Sequence, residues 1–232
     1  PSPKCWIFTS GGGATHGSIN VMQALAQSCN YFFYEMGYRL GTNSKGNYDS
    51  ALGLSKIEKY AKVLGLDMKS GVEITERDPH FSTESAVHSA IGQGSNAYTP
   101  VQLARYVSTI ANGGKNYSLT LLDKVVSSKG KTVLKKKSKL TNTVDASGST
   151  WDAIHTGMRE VITEGTVYKY FKDTKINIAG KSGTAQENKK RNSHALFVAY
   201  APYDNPKIAT SVVIPFGNSS HDSAELAKNV IQ

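Results

Sequence analysis

A hydroxyl, a thiol and an amide stand side by side as Ser28, Cys29 and Asn30 in the stretch QSCNYFF. The residues before them, INVMQALAQ, have the apolar spacing of an amphipathic helix. Two interpretations are open for the tripeptide taken alone. It is the polar C-terminus of a helix, or it is a catalytic tripeptide whose middle residue has a second function.

A second group of polar residues lies in the β-prone stretch GKSGTAQ. Lys181 is costly to bury there unless its ammonium meets a partner or a ligand. Gly180 and Gly183 flank it, and glycines in a strand often mark the close approach of a ligand. Alternation places Lys181 and Gly183 on one face, and Ser182 and Thr184 on the other. A cation beside hydroxyls suits a peptide carboxylate, whereas the alternative is an edge strand that its lysine protects from aggregation.

Together, the tripeptide Ser28–Asn30 and the tetrapeptide Lys181–Thr184 resemble the S-x-N and K-T-G motifs of the penicillin-recognising serine enzymes. Two further stretches, AIGQGSNAYTPVQLARYVSTIANGGK and HALFVAYAP, are similar to the transpeptidases of class B penicillin-binding proteins, with clostridial members nearest in style. The resemblance covers nearly the whole chain. It implies a serine-type D,D-transpeptidase that cross-links peptidoglycan stem peptides, binds β-lactams and needs no cofactor for catalysis.

The resemblance also implies roles for the catalytic residues. Ser28 would lie between the general base of the enzyme and Lys181, and would pass a proton toward the leaving amine. Asn30 would donate a hydrogen bond to the amide carbonyl of the substrate. Lys181 would supply positive potential at the carboxylate.

The substrate-binding residues implied by the resemblance follow Lys181 in the sequence. Ser182 and the hydroxyl of Thr184 would bind the terminal carboxylate, and Gly183 would leave room for it. The backbone N–H of Thr184 would form half of an oxyanion hole.

One part of the family pattern departs from its usual place. The nucleophile of these enzymes lies in an S-x-x-K motif before S-x-N, but the only match here is Ser128-Lys129-Gly130-Lys131, after it. This match falls in a lysine-rich turn, where a nucleophile would lack a dry, preorganised site. We therefore expect the true S-x-x-K motif upstream of Pro1. The chain would then be the C-terminal part of a transpeptidase domain, and it would not be acylated by itself.

Other functions fit the same motifs. A D,D-carboxypeptidase or a β-lactamase shares them, although no deacylating carboxylate is evident and the segment 90–115 favours the transpeptidase. A non-enzymatic alternative is a β-lactam sensor domain, which would be acylated but would not turn over a stem peptide.

Both cysteines of the chain and one histidine fall close together in the sequence. Cys5, His16 and Cys29 have the spacing C-x10-H-x12-C, which is not a standard zinc signature. Three interpretations stay open: a structural Zn²⁺ site that needs a fourth ligand, a Cys5–Cys29 disulfide, or a small buried thiol beside a loop histidine.

The formal net charge of +9 owes much to the segment SKGKTVLKKKSK, residues 128–139, which predicts a basic surface hairpin. Such a hairpin is either a solvated surface or a site of attraction for an anionic polymer or membrane. Nucleic acid is not expected as a partner, because the lysines are not interleaved with stacking aromatics. No run of about 18 apolar residues predicts a membrane span. The resemblance implies an extracytoplasmic protein with an N-terminal anchor outside this chain and a membrane glycosyltransferase as partner.

The sequence predicts an α+β fold of the penicillin-binding type, with an antiparallel sheet covered by helices and an all-α lobe. We expect a mainly helical lobe with the S-x-N motif over residues 1–165, and the sheet with the K-S-G-T motif and a closing helix over 166–232. The N-terminal strands and the S-x-x-K helix of the family would lie outside the chain. Thr99-Pro100 predicts the start of a helix, Ser55 predicts the N-cap of another, and residues 68–86 should wander over the surface.

Overall fold

The computed structural model describes residues 3–188 and 190–232. The helices are α1 (Trp6–Ser10), α2 (Val21–Ala26), α3 (Asn30–Gly41), α4 (Ser50–Val63), α5 (Ala86–Ser89), α6 (Pro100–Ala111), α7 (Gly148–Thr163), α8 (Tyr168–Phe171) and α9 (Ser220–Ile231). The strands are β1 (Lys115–Tyr117), β2 (Lys124–Val126), β3 (Thr132–Lys135), β4 (Leu140–Thr143), β5 (Ala179–Ala185), β6 (His194–Ala201) and β7 (Ile208–Ile214).

The main sheet is antiparallel, with the order β5-β6-β7 and β5 at one edge. Alternation along β6 sends Phe197 and Ala199 to one face and Val198 and Tyr200 to the other. The first pair packs with α7, α8 and α9, and the second with α6 and α7. Because both faces of this strand are covered, its sequence reads as a nearly continuous apolar run. The predicted antiparallel sheet and its closing helix are confirmed.

The helices α2 to α5 form the part of the molecule that carries the S-x-N tripeptide. α2 packs against α7, and α3, α4 and α5 pack against one another. Gly37 of α3 and Gly53 of α4 allow this close approach, because an added Cβ would lie 2.7 Å from the Ala86 carbonyl oxygen and 2.6 Å from the Ala86 Cβ, respectively. The division of the chain into two lobes at residue 165 stays a prediction.

The local signals for helix ends succeeded at one site and failed at another. Thr99 caps α6 with Pro100 as its first residue, and Gln102 completes a capping box. The prediction that Ser55 caps a helix is wrong, since α4 begins at Ser50 and its N-cap is Asp49, whose carboxylate accepts from the Ala51 N–H. Ser55 lies inside the helix.

The irregular segment 68–85 is anchored rather than wandering. The Arg105 guanidinium on α6 donates to the carbonyl oxygens of Gly65, Met68 and Lys69. The Glu76 carboxylate accepts from both the N–H and the hydroxyl of a fully buried Ser70. Buried polar groups of this kind require partners, and here they hold a chain segment that lacks regular structure.

Strands β2 and β3 form the predicted basic hairpin, which pairs only with itself in the described chain and is exposed along its length. It begins a few residues earlier than the sequence indicated. Across the residues that the structure describes, we find no helix with the length and apolar character needed to cross a bilayer.

Candidate active site

The tripeptide Ser28–Asn30 forms the junction between α2 and α3. The N–H of Ser28 donates to the Leu25 carbonyl at 3.2 Å, and the N–H of Cys29 donates to the Ala24 carbonyl at 2.9 Å. This is a Schellman cap, in which the residue at the position of Ser28 is usually glycine because it is left-handed. Ser28 has a φ of 50°. The tripeptide is therefore a helix C-terminus, as one interpretation held, but with a serine where a pure cap would favour glycine.

The two motifs meet through the side chains of Lys181 and Ser28. The Lys181 ammonium lies 2.5 Å from the Ser28 hydroxyl, although the residues are 153 positions apart. It also donates to the Ser182 carbonyl at 2.9 Å. The Ser182 hydroxyl lies 3.3 Å from the hydroxyl of Thr166, which follows α7. A chain of donors and acceptors thus runs from the S-x-N turn into β5.

These residues border an open cleft of about 880 Å³. Its lining includes all the residues predicted to act on the substrate: Ser28, Asn30, Lys181, Ser182, Gly183 and Thr184. Asn30 is there because it opens α3, whose first turn faces the cleft. β5 contributes the consecutive residues Lys181–Thr184, because it is the edge strand of the sheet.

The environment of Lys181 lowers its affinity for a proton. Burial of the ammonium lowers the pKa of Lys181 to about 8, because desolvation disfavours the charged form. At neutral pH the group remains mostly charged and can attract an anion. A pKa close to neutral pH is the property that a proton-transferring residue requires.

Trp6 braces the S-x-N turn from the side, and the sequence did not single it out. Its indole N–H points at the carbonyl oxygens of Gln27 and Ser28, at 3.2 and 3.0 Å. These carbonyls lie at the C-terminal end of α2, where the last C=O groups of a helix have no intrahelical N–H partner. A tryptophan next to a cysteine carries no local signal for such a role.

Gln93 is a second lining residue that the sequence did not single out. It lies in the stretch AIGQGSN, and its side-chain amide donates to the Thr184 carbonyl at 3.2 Å. The only available signal was its position between two glycines inside a segment that resembles the family.

The middle residue of the tripeptide faces away from the cleft. Cys29 is buried with Cys5 in an apolar cluster behind the turn. The ligand atoms of Cys5, His16 and Cys29 all lie within 4.8 Å of one another, and the Cys5 sulfur is 3.7 Å from the His16 Nδ1. Both cysteines are free thiols. Burial lowers the pKa of His16 and, as the largest of several causes, raises the pKa of Cys29.

The other candidates lie elsewhere or have different neighbours. Ser128 is exposed in the turn of the β2–β3 hairpin and does not line the cleft in the described chain. The His194 imidazole, at the start of β6, accepts from the Phe216 N–H at 3.2 Å and packs on the Phe216 ring. His221, which the sequence did not single out, lines the cleft and stacks on Tyr170.

Comparison with known proteins agrees with this geometry. Residues 7–232 match the family model described as the penicillin binding protein transpeptidase domain. The chain is 29% identical to the peptidoglycan D,D-transpeptidase MrdA of Haemophilus influenzae over 93% of this chain and 36% of that protein. It is 32% identical to penicillin-binding protein 2A of Bacillus subtilis over 86% of this chain and 31% of that protein.

A solved structure, penicillin-binding protein 2B of Streptococcus pneumoniae, superimposes with a TM-score of 0.82 at 26% identity. The match covers 97% of this chain and 40% of that one. The chain spans about a third of the length of the two curated relatives named above. The predicted α+β penicillin-binding fold is confirmed, while the closer likeness to clostridial members stays a prediction. The chain belongs to the penicillin-binding protein transpeptidase domain family.

Proposed function

We propose that this chain is the C-terminal part of a peptidoglycan D,D-transpeptidase that works through a serine acyl-enzyme and is inhibited by β-lactams. The observation that carries the proposal is the contact of Lys181 with Ser28 inside a cleft lined by both motifs. An ammonium, three hydroxyls and an amide converge there from distant parts of the chain. Acyl transfer between peptides requires these groups: a proton path, a cation for the substrate carboxylate and a hydrogen-bond donor for its amide.

In the proposed reaction, a serine hydroxyl attacks the carbonyl of the penultimate D-Ala, and D-Ala leaves. Ser28 passes a proton toward the leaving nitrogen, and its contact with Lys181 holds the hydroxyl in place. Asn30 donates to an amide carbonyl of the stem peptide. The amine of a neighbouring stem then captures the acyl group, which releases the serine and forms the cross-link.

On the opposite side of the cleft, β5 holds the C-terminal carboxylate. The hydroxyls of Ser182 and Thr184 donate to it, and Lys181 supplies the charge. Gly183 leaves the surface of the strand open beside them. The N–H of Thr184 contributes one donor of the oxyanion hole, and the N–H of the nucleophile contributes the other.

We further propose that the nucleophile and its S-x-x-K motif come from a segment of the protein outside these 232 residues. The support is the position of Ser128, the serine of the only S-x-x-K sequence in the chain, in an exposed hairpin turn. An anchor in the membrane and a glycosyltransferase partner belong to the same proposal. One solved structure of similar fold, at 23% identity, is of a peptidoglycan synthase complex that coordinates polymerization and crosslinking.

The test is acylation of the complete protein by labelled penicillin. Lys181→Ala should lower the rate at least about 100-fold, the scale of losing one electrostatic or proton-transfer group. Lys56→Ala, at a half-buried lysine of α4 that donates to the Leu40 carbonyl and does not line the cleft in the described chain, is the matched control and should acylate normally. Near-normal acylation of Lys181→Ala would exclude the proposed role. Formation of cross-linked dimers from stem-peptide substrates separates a transpeptidase from a carboxypeptidase, a β-lactamase or a sensor.

We also propose that Cys5, His16 and Cys29 hold a structural Zn²⁺ behind the S-x-N turn. Their ligand atoms lie within 4.8 Å of one another and would supply three of the four ligands of a tetrahedral Zn²⁺ site. Burial lowers the pKa of His16, which favours the neutral imidazole that binds metal. Zn²⁺ would stabilise the Cys29 thiolate that burial otherwise disfavours. Elemental analysis should give one zinc per purified protein, lost in Cys29→Ser. An oxidised pair with no zinc, two mass units lighter than the reduced protein, would instead support a disulfide.

A further inference from the structure

The outer edge of β5 borders the cleft along the tetrapeptide Lys181–Thr184. β5 pairs with β6 on one side only, so alternate backbone groups on its other side have no strand partner in the described chain. The Thr184 carbonyl accepts from a residue across the cleft, and therefore points away from β6. An extended ligand that adds to this edge as a further strand would direct a backbone N–H at the same carbonyl.

The side chain of Gln93 already occupies that position. Its Nε2 lies 3.2 Å from the Thr184 carbonyl oxygen. A primary amide N–H has the same donor chemistry as a peptide N–H. The contact thus satisfies an edge carbonyl in the way that the backbone of a bound peptide would.

The main chain of Gln93 is held independently of this contact. Its N–H donates to the His88 carbonyl at 3.1 Å, and its carbonyl accepts from the Asn96 side chain at 3.1 Å. Gly92 and Gly94 on either side have φ values of 80° and 94°, a backbone conformation that glycine adopts without strain. Gly94 is also packed closely, since an added Cβ would lie 2.5 Å from the Ser82 hydroxyl. The carboxamide can therefore leave Thr184 by rotation of its side chain, without movement of the loop.

We propose that Gln93 is a specificity-determining residue that occupies the Thr184 carbonyl until a ligand N–H replaces it. The proposal rests on the proposed acyl-transfer function of the cleft. A ligand that offers an amide N–H at this position must displace Gln93, and exchanges one hydrogen bond for another. A ligand without that N–H gains nothing by displacing it. Gln93 therefore reduces the advantage of acylamino ligands over ligands that lack this group.

The experiment measures second-order acylation rates of the complete protein with two β-lactams. Benzylpenicillin carries an acylamino N–H beside its β-lactam ring, and imipenem carries a hydroxyethyl group there instead. Gln93→Met keeps the length of the side chain and removes the donor. We expect it to raise the benzylpenicillin rate about 3- to 10-fold, as for one neutral hydrogen bond released from competition. The imipenem rate should change by less than about twofold on the same scale.

Gln186→Met, at an exposed glutamine that follows β5 and does not line the cleft in the described chain, is the matched control and should leave the ratio of the two rates unchanged. Parallel loss of both rates in Gln93→Met would show that Gln93 only supports the fold of the loop. An unchanged ratio of the two rates, or an equal gain in both, would also contradict the proposed competition between Gln93 and the ligand N–H. If the unmodified protein is acylated by neither compound, it is the proposed acyl-transfer function that fails.

Discussion

Ser28 combines two roles that demand different residues. As the C′ residue of α2 it adopts a left-handed φ of 50°, which costs an L-residue about 1–2 kcal/mol and glycine almost nothing. As a proton-transferring hydroxyl it must be serine. Strain kept at a functional site in this way is a familiar trade of stability for activity.

We expect Ser28→Gly to be more stable than Ser28→Ala by about 1 kcal/mol, although both lose acylation. Both variants lose the hydroxyl and its contact with Lys181, but only glycine relieves the left-handed backbone. The gain is reduced by the larger entropy of glycine in the unfolded chain. Thermal unfolding of the two variants provides the measurement. Equal melting temperatures would mean that the backbone at residue 28 is not strained.

The charge of Lys181 should govern an alkaline limit on acylation. Because burial lowers its pKa to about 8, the free protein loses this charge as the pH rises through about 8 rather than through 10.5. The second-order rate with a carboxylate-bearing β-lactam should therefore fall above about pH 8. An arginine at position 181 stays charged over this pH range. The acylation rate that Lys181→Arg retains should therefore show no fall above about pH 8. The same fall in rate in both proteins would assign the pH dependence to another group.

At the scale of elements, the β2–β3 hairpin is attached through one carboxylate. Glu73 accepts from the Thr120 hydroxyl, the Lys136 ammonium and the Leu121 N–H, at 2.6, 2.9 and 2.8 Å. In that order, these contacts lower the pKa of Glu73 to about 2. A lowered carboxylate pKa stabilises the fold above the ordinary value of 4.5, and that contribution is lost as the pH falls through about 2.

We therefore expect Glu73→Ala to loosen the hairpin at neutral pH while the main sheet stays intact. Backbone amides of β2 and β3 should exchange with deuterium faster, and those of β6 should not change. Glu35→Ala, which removes an exposed ion pair with Arg39 on α3, is the control and should leave hairpin exchange unaltered. Unchanged exchange in the Glu73 variant would show that the strands hold themselves together.

At the scale of the whole molecule, the main sheet is the layer against which α6, α7 and α9 pack. Phe197 is fully buried at the centre of β6 and stacks on Phe171 of α8 at 5.7 Å. Phe197→Ala should lower the free energy of unfolding by about 3–5 kcal/mol through lost burial and a cavity. Val133→Ala, on the exposed hairpin, should change it by less than about 0.5 kcal/mol. Urea unfolding measures both, and similar values would contradict this assignment of the core.

Much of this organisation was determined by the sequence. The capping of α6 by Thr99 and the amphipathic spacing of α2 are local patterns, because neighbouring residues decide them. The two motifs, with Lys181 and Ser28 as their charged and hydroxyl members, identified the family before any contact was known. Ser55 failed as a predicted cap because Asp49, six residues earlier, caps the helix and leaves Ser55 inside it.

Only the tertiary structure decided which of these groups touch. The contact of Lys181 with Ser28, the bracing of the Ser28 carbonyl by Trp6 and the bond from Gln93 to Thr184 all join residues far apart in sequence. Local propensity carries no information about such pairs, since they depend on how a sheet edge, a helix end and a loop pack together. The sequence by itself therefore determined the chemical groups and the family. The packing decided that a strained serine, a partly desolvated lysine and a glutamine on the edge carbonyl share one cleft.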